Sequence, residues 1–239
     1  MILLASQMIS GIVLFLLVKN INPLTAEAVF ICVFAPTAIS ATVVAPLIGG
    51  NIASLTLYTL LGNLVTAISL PVLLPLLGIK DDMPFFQSFM YILRQLFVML
   101  IVPLLGALFL SRLLPGAYNA IRRYQSISFY LWILSFAIVI ARSVRYFLDF
   151  GKDNISVVAA VAGSSLIICI FQYWLGRKIG ARYGDMISGG QALGHKNTVL
   201  AIWIAQSYMQ PLTSIAPTAY ILWQASFNGF QVWKYNRYE

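Results

Sequence analysis

The chain has 239 residues, of which 60% are hydrophobic and only 9% charged, with a formal net charge of +8. Soluble domains carry about 25% charged residues, so this composition excludes a soluble enzyme and points to an integral membrane protein. An excess of Lys and Arg in a soluble chain would suggest a nucleic-acid partner, but here the basic residues flank apolar runs, where they signal topology and meet lipid headgroups.

Apolar runs of about 20 residues recur along the chain, the length a helix needs to span a bilayer. They predict an all-α polytopic membrane helix bundle forming one transmembrane domain over 1–239. About eight crossings are expected, at 2–18, 26–48, 53–78, 87–112, 125–142, 155–175, 183–208 and 214–234. The first lacks a basic n-region and a small-residue cleavage site, so it reads as a spanning helix and not as a signal peptide. Turn punctuation separates the runs: Asn20-Ile21-Asn22-Pro23, Gly49-Gly50-Asn51, Asp81-Asp82-Met83-Pro84, Pro115-Gly116 and Met209-Gln210-Pro211.

With these crossings, Arg112, Arg122, Arg123, Arg177, Lys178, Arg182, Lys234 and Arg237 share the face of the carboxyl end, and the opposite face holds fewer basic residues. The positive-inside rule then makes the carboxyl end cytoplasmic, as in a bacterial inner-membrane protein.

Two crossings echo each other at an offset of about 158 residues: 26–50, centred on Phe34-Ala35-Pro36-Thr37-Ala38-Ile39-Ser40-Ala41-Thr42, and 184–208, centred on Gly194-His195-Lys196-Asn197-Thr198. An odd number of crossings separates them, so they run in opposite directions. Inverted repeats with interrupted helices at corresponding positions point to the midplane site of a secondary transporter. The first repeat ends within 1–78, with its crossover at 35–43; the second occupies 79–239, with its crossover at 192–199. Pro36 removes a backbone hydrogen bond, and Gly194 is expected to let the second helix unwind. Lys196 would sit at that break, facing a polar hollow shared with the Pro36 region. A lysine at mid-bilayer costs about 2.5–3.5 kcal/mol on insertion scales, and such charges mark substrate or ion pathways.

These residues resemble the bile acid:sodium symporter family, carriers that move organic anions with sodium. Gly194-His195-Lys196-Asn197-Thr198-Val199-Leu200 is similar to the family's Gly-x-Gln-Asn-Ser/Thr-x-Leu element. Residues 35–43 stand where its Cys-Pro-Gly-Gly-Thr-Ala-Ser-Asn-Val element would lie. Ala216-Pro217 and Trp223-Gln224 resemble its closing helix. The resemblance implies ten helices in two inverted five-helix repeats, of which this chain would hold about eight, beginning at the third. It implies a sodium site as well, but the ligand positions have changed. The family glutamate falls on Ala192, beside neutral Gln191; the motif glutamine is Lys196; the Ser-Asn pair is Ala41-Thr42. A further hydroxyl position is Leu55, although Thr59 keeps one nearby. A sodium site needs several oxygens and usually a carboxylate, so no cofactor or resident metal is expected.

The expected ion-coupling residues are Lys196, Gln191 and Thr59, with the Lys196 ammonium standing in for a bound cation. The expected contacts to a small organic anion are Thr37, Ser40, Thr42, His195, Asn197 and Thr198. Each has a plainer reading. Asn197 and Thr198 can cap a helix, hydroxyls back-bond within membrane helices, and His195 can be a packed residue. Cys32 and Cys169 lie in apolar runs without metal-ligand spacing, and the single histidine excludes most triad chemistry. With the acids near helix ends or loops, no catalytic set appears. The alternative to a carrier is a membrane binding or structural module that transports nothing.

Overall fold

The computed structural model describes residues 1–79, 84–124 and 154–238, with isolated positions between 130 and 149. The expected crossing at 125–142 lies largely outside the described residues, as do Asp81, Asp82 and Met83. The described secondary structure is helical: α1 (Ile2–Lys19), α2 (Pro23–Phe34), α3 (Ala41–Val44) followed by a 3-10 turn (Ala45–Ile48), and α4 (Ile52–Leu76). There follow α5 (Phe85–Leu96), a π turn (Phe97–Ile101), α6 (Val102–Leu113) and α7 (Pro115–Arg123). The carboxyl-terminal part holds α8 (Ile155–Ala181), α9 (Met186–Gly194), α10 (Thr198–Tyr208), a 3-10 turn (Pro211–Ser214) and α11 (Ile215–Tyr238). Among the described residues, α1, α4 and α8 are long and apolar enough to cross a membrane, with mean hydropathies of 2.1, 1.8 and 2.2.

The chain divides into two compact units, one of residues 1–63 with 142–239 and the other of residues 64–141. The described residues of the second include α5, the π turn and α6, consecutive along the chain. All that follows concerns the first.

Short polar side chains set where its helices begin. Asn22 accepts from the Thr25 amide at 3.0 Å, with Pro23 as the first helical residue. Asn51 accepts from Ser54 at 3.0 Å, Asp185 from Ser188 at 3.0 Å and Asn197 from Leu200 at 3.2 Å. Each satisfies an amide that has no partner inside its own helix. Proline and packing set where two of them stop. Pro36 biases Ala35 to extended backbone (φ −52°, ψ 136°), which ends α2. In α9 the last helical residue is Gly194, and His195 already leaves the helical region at φ −90°, ψ 87°.

The helix pair α8 and α9 packs backbone to backbone through Gly176, Gly180 and Gly189. A Cβ at Gly176 would strike the Gly189 carbonyl, and one at Gly180 the Asp185 carbonyl. This is the small-residue spacing that lets membrane helices approach closely. Gly194 has a further task beyond the one the sequence suggests. Its φ is not in the left-handed region, and a Cβ there would land on the Tyr173 ring. It makes room for an aromatic side chain at the point where the helix ends.

Candidate functional site

The breaks after α2 and α9 cross each other. Thr37 and Lys196 form an isolated antiparallel β-bridge, closed by Ala38 N–H donating to the His195 carbonyl at 3.0 Å and Asn197 N–H to the Pro36 carbonyl at 2.8 Å. The side chains repeat this reciprocity. Thr37 Oγ1 donates to the Ala192 carbonyl at 2.5 Å, and Lys196 Nζ donates to the Val33 carbonyl at 2.7 Å. Ala192 lies one helical turn before Lys196, and Val33 one turn before Thr37. The last carbonyls of a helix have no partner within it. Each break residue therefore satisfies an end carbonyl of the other broken helix.

Lys196 is 1% exposed. Among the described residues it is the one buried Lys, Arg, Asp or Glu side chain, and its amine meets a carbonyl at the carboxyl end of α2, where the helix dipole favours a cation. Its own amide, turned away from α9, donates to Gln224 Oε1 at 2.8 Å. Gly194 keeps its carbonyl occupied through Tyr220 OH at 2.9 Å. On the α2 side, Gln7 Nε2 donates to the Phe34 and Ala35 carbonyls at 3.2 and 3.0 Å, while Gln7 Oε1 accepts from Tyr58 OH at 2.9 Å.

A polar network runs from the crossing into the bundle. His195 Nε2 lies 3.0 Å from Ser40 Oγ, and His195 Nδ1 lies 2.9 Å from Gln191 Oε1. Gln191 Nε2 donates to Asn228 Oδ1 at 2.9 Å, which also accepts from Tyr173 OH at 2.9 Å. That fixes Gln191 Oε1 as an acceptor, so the imidazole proton belongs on Nδ1 and Ser40 donates to Nε2. The Asn228 amide nitrogen lies 3.2 Å from Nδ1 but, being a donor itself, makes no hydrogen bond to the protonated Nδ1. Ser40 is exposed and His195 buried, so the ring joins the surface to the interior.

The expected residues separate accordingly. Thr37, Ser40, Gln191, His195 and Lys196 are brought together at the crossing. Asn197 Oδ1 is engaged by the Leu200 amide, Thr198 is buried in the first turn of α10, and Thr42 Oγ1 donates to the Ile39 carbonyl at 2.7 Å on an exposed turn. Thr59 is buried on α4, and its hydroxyl has no hydrogen-bond partner. The expectation that Lys196 faces a polar hollow is corrected: its side chain is packed, and the lysine lines neither large cavity of this unit. One cavity, of about 550 Å³, is walled by Leu4, Tyr58, Gly180, Asp185, Ser188 and Ala192 among others. It reaches the carboxyl end of α9 but none of the expected contact residues. The other, of about 750 Å³, lies around Arg177 and Lys234.

Sequence reasoning missed several members of this site. Tyr173, Tyr220 and Tyr58 are not among the expected residues, and only the folded geometry shows that their hydroxyls hold Asn228, Gly194 and Gln7. Gln172, fully buried with neither amide atom hydrogen-bonded, carried a signal in being a glutamine within an apolar run. At the ends of the unit, Ser188 Oγ accepts from the Asn51 amide at 2.7 Å, and Glu27 Oε2 accepts from Gln210 N–H at 3.1 Å and Thr213 Oγ1 at 2.9 Å. No family model and no curated protein matches the chain.

Proposed function

We propose that the chain is a secondary carrier of a small organic anion, working by alternating access around the crossing of its two broken helices, with the Lys196 ammonium in place of a coupling cation. The observation that carries this reading is the reciprocal crossing itself. A carrier needs interrupted helices whose free backbone groups can be exchanged between partners within the membrane. Here 36–38 and 195–197 exchange theirs with each other. The reciprocity also supports the reading of 26–48 and 183–208 as inverted repeats of one ancestral unit, in the manner of the bile acid:sodium symporters.

Charge supports the anion and argues against sodium. Lysine is a compact point charge with three donors, and at Val33 it occupies the kind of carbonyl-lined helix end that a bound cation would take. Sodium coordination normally recruits carboxylate, and the buried described residues include no Asp or Glu. An anion approaching the break would meet no buried Asp or Glu among the described residues. The membrane would be a bacterial inner membrane with the carboxyl end in the cytoplasm, and lipids would be standing partners.

A second reading, a membrane binding or structural module without transport, is favoured by one observation: Asn197 and Thr42 spend their side chains on local hydrogen bonds. The test is uptake into proteoliposomes of a panel of labelled anions (a bile acid, a steroid sulfate, a short keto acid), with and without an inward sodium gradient. Uptake of at least one anion, unchanged by sodium, supports the carrier with Lys196 as built-in cation. Strong sodium stimulation removes the role given to Lys196, and failure of every anion selects the structural module.

A further inference from the structure

We propose that the recess around Arg177 and Lys234, between the carboxyl ends of α8 and α11, binds the phosphate headgroup of an anionic phospholipid. This stands apart from transport and from the crossing. The recess has a volume of about 750 Å³ and is floored by Phe227, Phe230 and Tyr235. Its two cations are not neutralised. Arg177 spends one N–H on Gln231 Oε1 at 3.1 Å and turns another to Met186 Sδ at 3.9 Å, neither of them a carboxylate. Lys234 is exposed and makes no hydrogen bond or ion pair among the described residues. Gln231, which accepts from Arg177, also lines the recess. A guanidinium fork and an ammonium together match the oxygens of a phosphate.

The neighbouring cations are disposed differently, which singles these two out. Lys178 Nζ lies over the Trp174 ring at 4.8 Å, and the Arg237 guanidinium over Trp233 at 5.3 Å. Tryptophans with basic residues at helix ends mark the membrane–water interface, so the recess opens at headgroup depth. From its mouth an apolar track continues along the exposed side of α11 through Phe230 and Leu222, 57% and 64% exposed. A soluble anion would gain nothing from that track, whereas an acyl chain would cover it. The combination of phosphate donors and an apolar runway fits a lipid.

The experiment is native mass spectrometry of the purified full chain in detergent, titrated with phosphatidylglycerol and with phosphatidylcholine of the same acyl length. Phosphatidylglycerol should bind preferentially. Each surface cation contributes about fivefold to binding an anionic lipid, so Lys234→Gln should weaken binding about fivefold, and Arg177→Gln with Lys234→Gln about 25-fold. The charge-matched pair Lys178→Gln with Arg237→Gln should retain the preference. Lys234 is exposed and bonded to nothing, so its single variant keeps the test open should the double variant fail to fold. Inorganic phosphate and glycerol 3-phosphate serve as competitors. Displacement of the lipid by either at equal concentration would reassign the recess to a soluble anion. Equal losses in both pairs of variants, or no preference in the unaltered protein, would overturn the proposal.

Discussion

Replacing Thr37 by valine exchanges one hydroxyl at the crossing for a methyl and changes almost nothing else. The two side chains have nearly the same volume, and Thr37 is 1% exposed. What is lost is the bond from Oγ1 to the Ala192 carbonyl, 2.5 Å long and unreplaceable by water at that depth. Leaving a buried acceptor unsatisfied costs about 1–3 kcal/mol. Sparing the hydroxyl its own desolvation returns about 0.5–2 kcal/mol, so the net loss is about 1 kcal/mol. For a chain of this size that lowers the melting temperature by about 2–4 °C. The same substitution at Thr59 should do the opposite. That hydroxyl is equally buried but bonded to nothing, so valine recovers the desolvation term and forfeits no bond, and the melting temperature should hold or rise. Thermal unfolding of the two variants in one detergent, followed by intrinsic tryptophan fluorescence, compares them directly. Shifts of the same sign, or Thr59→Val as the more damaging change, would refute the claim that Thr37 caps α9.

Lys196→Glu should leave almost no folded protein by fluorescence-detected size exclusion, because it buries a carboxylate against the Val33 carbonyl with no cation beside it. Breaking a buried charge contact this way costs about 3–5 kcal/mol. Asn228→Leu strands the Tyr173 hydroxyl and the Gln191 amide. It should cost about 2–6 kcal/mol by the same orphaning cost applied twice, and speed amide exchange at 194–198, read by exchange mass spectrometry. Gly180→Ala drives a methyl into the α9 backbone and should destabilise by about 1–3 kcal/mol. Gly163→Ala meets open space within its helix and should stabilise by up to about 1 kcal/mol; paired melting curves decide both.

The helical class and the two interruptions were legible because they depend on local chemistry. Apolar runs of bilayer length, Pro36 after α2, and the Asn and Asp residues that open α2, α4, α9 and α10 each act within a few residues of themselves. The partners of the break were not legible. That Thr37 meets Ala192, 155 residues away, or that Lys196 reaches Val33 across 163, depends on how closely α8 and α9 approach, which Gly176, Gly180 and Gly189 decide. The break falls at Gly194 as expected, and the glycine has a further task the sequence did not show, making room for the Tyr173 ring.

The reciprocity at the crossing explains why one side uses a hydroxyl and the other an ammonium. Both reach a carbonyl one turn before the opposite break, but from different neighbourhoods. Ala192 is approached by a short side chain at 2.5 Å, so a threonine suffices. Val33 is met through the full length of a lysine, which lets the charge rest on the carboxyl end of α2 instead of on the strand-like segment that carries it. The end carbonyls of α2 are thereby shared among Gln7 and Lys196, and those of α9 among Thr37 and Tyr220. A break kept open this way costs little to hold inside a membrane, since few freed backbone groups go without a partner. Any motion that separates the two breaks must part with those bonds together.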